Sequence, residues 1–194
     1  MKKIAVIFSA FFVLTAFTTG VVTWQNDDPH SQLGFTVTHL GISDVSGTFN
    51  DFDVIVKSAK PDFSDASFEL TAKIASIDTR VEARNNHLKS PDFFDATKFP
   101  SLNFRSTEIK SAGKNKYKLT GDLTIHGITK PVTMDLLYKN TVENPMSKKQ
   151  TAGFQITGTI KRSDFNVGPG FPAQMISDEV QIKADGEFVQ SEIK

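Results

Sequence analysis

Six segments of the chain alternate apolar and polar residues with a period of two. They are residues 33–39, 66–74, 117–125, 132–138, 154–160 and 180–186. Because successive side chains of a strand point to opposite faces, each segment predicts a β-strand with one apolar face and one solvent-facing face. This pattern is typical of antiparallel sheets rather than of parallel sheets buried on both sides. We therefore expect an all-β fold.

Two stretches interrupt the alternation. Residues 80–96 predict one short helix that ends before Pro91 and is followed by an aromatic turn. Residues 163–177 include two glycines and two prolines and predict a loop with a helical turn. About eight strands with one or two short helices are therefore expected in the whole chain.

A set of strands this long needs its edges protected. An up-and-down barrel that closes on itself removes the edges, and at eight strands it has room for one small ligand. A sandwich is the alternative, but long strands joined as hairpins favour the barrel. Gly121 and Gly158 fall on inward positions, where they either leave space or permit the strand to bend.

The amino terminus has the layout of a signal peptide. Lys2 and Lys3 precede an apolar run over residues 4–17, and small residues follow up to Gly20. The run is shorter than the roughly 20 residues that span a bilayer, although an uncleaved anchor is the alternative. We expect residues 1–20 to be a signal peptide and residues 21–194 to form one periplasmic or secreted domain without a membrane span.

Composition narrows the class of function. Lys and Arg number 22 and Asp and Glu also number 22, so the formal net charge is zero, which argues against a nucleic-acid partner. Cysteine is absent, which excludes disulfides and thiolate metal sites. There are 17 Phe against 2 Tyr and 1 Trp, which indicates either a dense core or an apolar cavity.

No pattern in the sequence indicates catalysis. The four histidines, His30, His39, His87 and His126, lack the spacing of a local metal clamp. There is no Gly-x-Ser-x-Gly elbow, and His30 and Ser31 fall on opposite faces of a strand. We expect no catalytic residue, no metal and no cofactor.

Several segments together resemble the YceI-like family of exported polyisoprenoid-binding proteins. They are Trp24, Phe35-x-Val37-x-His39-x-Gly41, Arg84-Asn85-Asn86-His87-Leu88, Asp92-Phe93-Phe94-Asp95-Ala96, Gly121-Asp122-Leu123-Thr124-Ile125-His126-Gly127 and Arg162-Ser163-Asp164-Phe165. The resemblance runs from about Trp24 to the end of the chain. It implies an extended lipocalin-like antiparallel β-barrel, usually a homodimer. It also implies a long-chain amphiphile in an internal tunnel, such as a polyisoprenoid, an isoprenoid quinone or a fatty-acid derivative.

The predicted ligand-binding residues form two groups. The tunnel wall is expected to contain Phe35, Val37, Phe104, Leu123, Phe154, Ile156 and Phe165; the mouth is expected to contain Arg84, Asn85, His87, Arg162 and Asp164. For the wall, ordinary core packing is the competing interpretation. For Arg84 and Asp164, it is an ion pair that joins helix to loop. Residues 168–172 are a candidate gate.

Two other functions stay open at this stage. One is a lipid- or quinone-modifying enzyme that uses His30, His39 or His126. The other is a protein whose barrel is solidly packed and whose surface binds a partner. A continuous internal void distinguishes the carrier from the solid barrel.

Overall fold

The computed structural model describes residues 20–191 and arranges their strands in one antiparallel sheet. The strands are β1 (Val22–His39), β2 (Ser43–Phe49), β3 (Phe52–Ser58), β4 (Ser67–Lys73), β5 (Ile77–Asp78), β6 (Ser101–Gly113), β7 (Lys116–Ile125), β8 (Ile128–Glu143), β9 (Gln150–Lys161) and β10 (Glu179–Gln190). One α-helix, α1 (Glu82–Lys89), and two 3-10 turns, Ile74–Ser76 and Arg162–Phe165, complete the described elements. The predicted all-β class is confirmed.

The long first strand closes the sheet into a barrel. One edge of β1 pairs first with β3 and then with β2, while its other edge pairs with β10. From β10 the sheet continues through β9, β8, β7, β6 and β4 back to β3. Since β2 and β3 share one side of β1, the barrel has eight strand positions. The predicted closed barrel is confirmed, and the sandwich is not formed.

The predicted strands and helix agree with the structure, except for strands in which apolar and polar residues do not alternate regularly. The six alternating segments lie in β1, β4, β7, β8, β9 and β10. The helix ends at Lys89, because Ser90 precedes Pro91 and adopts an extended conformation with ψ 169°. The sequence did not single out β2, β3, β6 or the two-residue β5.

One end of the barrel is packed with aromatic side chains. Phe63, on the loop between β3 and β4, is only 2% exposed and lies 4.8 Å from Phe154 and 5.4 Å from Trp24, measured between ring centroids. The Asp65 carboxylate holds this loop by accepting hydrogen bonds from the Ser58 hydroxyl and from the backbone amides of Ala59 and Lys60. We call this half the closed end. Its core residues are Trp24, Val56, Phe63, Ala66, Phe68, Tyr117, Leu119, Leu136, Ala152, Phe154 and Phe188.

The two inward glycines make room for neighbouring side chains. A Cβ on Gly121 would lie 2.5 Å from the Phe104 ring, and a Cβ on Gly158 would overlap Met134. The space that each glycine leaves is therefore filled from the adjacent strand.

The predicted signal peptide lies outside the described residues apart from Gly20. Within residues 20–191, no helix is long and apolar enough to cross a membrane.

Candidate functional site: an apolar cavity at the open end of the barrel

A cavity of about 460 Å³ occupies the other half of the barrel. Its floor is formed by Phe68, Leu119 and Phe154, which belong to the packed closed end. The volume falls within the range of about 300–1,000 Å³ that small-molecule sites occupy. Side chains therefore do not fill the interior, contrary to the solid-core alternative.

Most of the predicted ligand-binding residues lie in the wall of this cavity. Ten of the twelve do so: Phe35, Val37, Arg84, His87, Phe104, Leu123, Phe154, Ile156, Arg162 and Phe165. Six of them come from the strands β1, β6, β7 and β9, two from α1 and two from the 3-10 turn Arg162–Phe165. Their inward direction follows from the alternation, because every second residue of a barrel strand faces the interior.

Helix α1 and the 166–177 loop lie across the end of the cavity, which we call the open end. The His87 ring packs edge-on against Phe93 and Phe171, at centroid distances of 5.0 and 5.5 Å. Phe93 and Phe171 stack on each other at 4.7 Å and so join the helix region to the loop. His87 Nε2 lies 3.0 Å from a carboxylate oxygen of the exposed Asp92. Phe93, Phe171 and Asp92 thus fix the orientation of the His87 ring, and His87 also lines the cavity.

Arg162 is a buried cation held by backbone carbonyls. It is 8% exposed, and its guanidinium donates to the carbonyl oxygens of Val167, Gly168, Phe171, Ile176 and Ser177 at distances between 2.5 and 3.2 Å. These five acceptors engage all three guanidinium nitrogens. Arg162 therefore fastens both ends of the loop that covers the cavity, including the candidate gate at residues 168–172.

Arg84 is fixed from one side. Its Nε donates to Thr79 Oγ1 at 2.8 Å, and its Nη2 donates to the Thr79 carbonyl oxygen at 2.7 Å. Arg84 and Asp164 form no ion pair, so the predicted alternative of a helix-to-loop salt bridge is wrong. Arg84 is also one of the residues that line the cavity.

Asn85 and Asp164 lie outside the cavity wall, unlike the other predicted mouth residues. The Asn85 side chain turns toward the segment before α1; its Oδ1 accepts from the Thr79 amide at 2.8 Å, and its Nδ2 donates to Asp78 at 3.0 Å. Asp164 is solvent-exposed on the 3-10 turn. The structure thus gives Asn85 a role in fixing the segment before α1 and turns Asp164 toward water.

The cavity wall also contains residues that were not among the predicted ligand-binding residues. They include His39, Phe49, Leu70, Leu102, Met134, Phe171, Met175, Ile182 and Phe188. Leu70 and Ile182 are inward members of recognised alternating segments, so the pattern could have supplied them. Phe49 and Leu102 lie on strands that the pattern did not reveal.

The histidines occupy separate environments. His30 is exposed on the outer wall, where its Nδ1 lies 2.7 Å from Asp27, and this contact raises the pKa of His30. His30, Asp27 and Glu187 each offer one possible metal-ligand atom, and these three atoms lie within 4.8 Å of one another. His126 packs against Phe99, and its buried Nδ1 has no hydrogen-bond partner. Within the described part of the chain, no three histidines converge on one point.

A family model described as the YceI-like domain matches residues 24–188. The chain belongs to the YceI-like family. The match covers every element of the barrel, so the predicted resemblance is confirmed.

Relatives and solved structures agree with this assignment. A UPF0312 protein of Staphylococcus aureus (strain N315) is 39% identical over 170 residues, which cover 86% of this chain and 96% of the relative. The crystal structure of Burkholderia cenocepacia BcnA is similar with a TM-score of 0.75 and 31% identity, over 86% of this chain and 99% of that one.

Two further structures extend the comparison. The Campylobacter jejuni YceI protein matches with a TM-score of 0.74 and 32% identity, over 80% of this chain and 90% of that one. A polyisoprenoid-binding domain from Saccharophagus degradans has a TM-score of 0.66 at 13% identity, over 89% of this chain and 100% of that one. At that identity the likeness concerns the fold.

Proposed function

We propose that this YceI-like protein is an exported binding protein that holds one long-chain amphiphile in its cavity for carriage or storage. A polyisoprenoid, an isoprenoid quinone or a fatty-acid derivative fits this description. The observation that carries the proposal is the apolar cavity of about 460 Å³, closed by packed aromatic side chains at one end and lined by partly exposed residues at the other.

The energetics favour a flexible apolar ligand. Each CH₂ group transferred from water contributes about 0.8 kcal/mol, so a long chain needs few hydrogen bonds to offset the cost of association. Among the polar residues of the wall, Arg84 and His87 on α1 lie at the open end, where they are available to a head group. A ligand with its tail toward Phe154 and its head toward α1 would use both groups.

The related proteins support the same ligand class. The Saccharophagus degradans domain is described as polyisoprenoid-binding, and it shares the barrel architecture. A binding role is favoured over catalysis because Arg162, a buried charged group of the wall, has its donors engaged by the loop backbone.

Export, cleavage after residue 20 and a homodimer complete the proposal. The basic start and the apolar run over residues 4–17 support export. Intact mass and sedimentation of the protein from its own host test these points. A mature chain that begins near Val21 and sediments as a dimer is expected; a full-length, cell-retained monomer would contradict them.

Filling the cavity tests the binding site itself. Ala184 is half-buried on β10 and lines the cavity, so Ala184→Phe projects a ring into the space that the ligand would occupy. Lys183 precedes it on the same strand and is exposed, so Lys183→Phe places the same ring outside. We expect Ala184→Phe to reduce the uptake of a pyrene-labelled polyprenol at least about tenfold, the equivalent of two CH₂ contacts, while Lys183→Phe binds as the wild type does. Equal uptake by both variants would refute the cavity as the site.

A further inference from the structure

Two segments near the cavity contain no Asp, Glu, Lys or Arg. They are residues 37–43 and residues 165–177, in a chain in which 23% of residues carry these charges. Neither segment belongs to the buried core of the closed end. Two uncharged stretches of this length are unusual for a chain of this composition, and where their apolar residues are exposed they call for a reason other than solubility.

The fold joins the two segments into one surface. The Leu40 amide donates to the Met175 carbonyl oxygen at 2.9 Å, and the Ser177 amide donates to the Thr38 carbonyl oxygen at 2.9 Å. The Ser177 hydroxyl also accepts from the Thr38 amide at 3.0 Å. The turn between β1 and β2 and the 166–177 loop therefore form one continuous edge of the barrel.

Large apolar side chains project from this edge into solvent. Ile42 is 83% exposed, Leu40 is 53% exposed and Met175 is 42% exposed. We call these three residues the apolar rim. Met175 also lines the cavity, as do its neighbours His39 and Ile176, so the rim is continuous with the cavity wall.

The backbone conformation at Leu40 does not favour leucine, so the stability of the fold does not explain why an apolar side chain stands at this position of the rim. Leu40 and Gly41 have φ of 52° and 69°, and the Ile42 amide donates to the His39 carbonyl oxygen at 3.1 Å, so the three-residue connection between β1 and β2 contains a β-turn whose two central residues are both left-handed. The first position of such a turn favours Asn or Asp, because their short polar side chains tolerate the left-handed region. A leucine there is strained, and at 53% exposure little packing offsets the strain.

We propose that the apolar rim inserts into the surface of a lipid bilayer, so that the amphiphile passes between bilayer and cavity without crossing water. This inference rests on the proposed function and identifies where the ligand enters. The continuity of rim and cavity favours a bilayer over a protein partner, since a seated protein would cover the entrance.

The test compares two pairs of exposed apolar residues. The double variant Leu40→Asp with Ile42→Asp removes the rim, and Asp suits the left-handed position better than Leu, so folding is expected to be preserved. The matched control is Val142→Asp with Met146→Asp, because these residues are 53% and 93% exposed in and beside the β8–β9 turn at the far end of the barrel. Two measurements are made: flotation of each protein with vesicles of phosphatidylethanolamine and phosphatidylglycerol, and the rate at which it extracts pyrene-labelled polyprenol from them.

The rim variant is expected to lose flotation and to extract the probe at least about tenfold more slowly, because burial of two aliphatic side chains is worth more than one decade of affinity. Its uptake of the same probe diluted from ethanol should match that of the wild type and of the control. Unchanged flotation and extraction would overturn the inference, as would a rim variant that extracts normally but no longer dimerises. Wild-type protein that floats but takes up no probe by either route would instead refute the proposed function.

Discussion

The two halves of the barrel have the same strand pattern but different interiors. At the closed end, Phe63 enters from a loop and its ring lies within 5.4 Å of Trp24, Tyr138 and Phe154. At the open end, helix α1 and the 166–177 loop lie across the opening, and a cavity of about 460 Å³ is left beneath them. The difference shows that the connection at each end, rather than the alternation along the strands, decides whether the barrel is packed or hollow.

The largest expected effect comes from removing the aromatic plug. Phe63→Ala should lower the free energy of unfolding by about 3–5 kcal/mol, because a fully buried ring is lost and its neighbours only partly collapse. Ile182→Ala, at the cavity wall, should cost under about 1.5 kcal/mol, since this side chain already borders empty space. Urea unfolding of both variants measures the contrast, and equal costs would show that the two ends are packed alike.

At the open end, the 166–177 loop should depend more strongly on Arg162 than helix α1 does on Arg84. Arg162→Met should cost about 2–4 kcal/mol, because buried carbonyl oxygens of the 166–177 loop lose their donors. Arg84→Met should cost only about 1 kcal/mol, as Arg84 bonds to Thr79 alone and is half-buried. Hydrogen exchange should show faster opening of residues 166–177 in the first variant alone. Unchanged protection there would mean that the loop is held by other contacts.

Added volume should have opposite consequences at the two ends. Ala152 is fully buried at the closed end, so Ala152→Phe should destabilise the protein by about 1–3 kcal/mol or more through overpacking. Ala184→Phe should be neutral or stabilising, because its ring enters the cavity. Thermal unfolding in the absence of lipid compares the two, and a destabilised Ala184→Phe would indicate that the cavity is smaller than the structure shows.

The smallest effect is a dependence on pH at the base of the loop. Burial alone would raise the pKa of Asp178, but hydrogen bonds from the Ser163 amide and hydroxyl, together with the Arg162 charge, outweigh it and hold the pKa below the ordinary 3.8. Because the folded-state pKa is the lower one, this stabilisation is complete above about pH 4 and is lost as the pH falls through the folded-state value. Asp178→Asn should therefore reduce the loss of stability below pH 4; an unchanged acid profile would exclude this role.

The sequence revealed strands where the alternation is unbroken and missed those where it is interrupted. In β6 a register shift between Ser106 and Glu108 moves the later residues to the other face, which hides the pattern. In β3 the outward Ile55 is apolar and 36% exposed, so the strand has no clean alternation. β3 and β6 are therefore recognisable as strands only from their pairing with neighbouring strands in the structure.

The candidate site shows the same limit. Inward residues such as Phe104 and Ile156 follow from the period of two, and the structure places them in the cavity wall. Arg84 lines the cavity and Asn85 does not, and this difference depends on the exact start of α1. The exposure of Asp164 depends on a 3-10 turn. The closed end, at which the hollow stops, is plugged by Phe63, a loop residue that carries no periodic signal.

The most direct measurement of the central claim is the mass of the native complex. The protein is purified from its own host without detergent, weighed by native mass spectrometry, extracted with organic solvent and weighed again. If the cavity holds a lipid, the native mass exceeds that of the polypeptide by one amphiphile per barrel, and this excess disappears on extraction and returns on addition of a polyprenol. A mass equal to that of the polypeptide alone, with no uptake of polyprenol afterwards, would show that the barrel is not a lipid carrier.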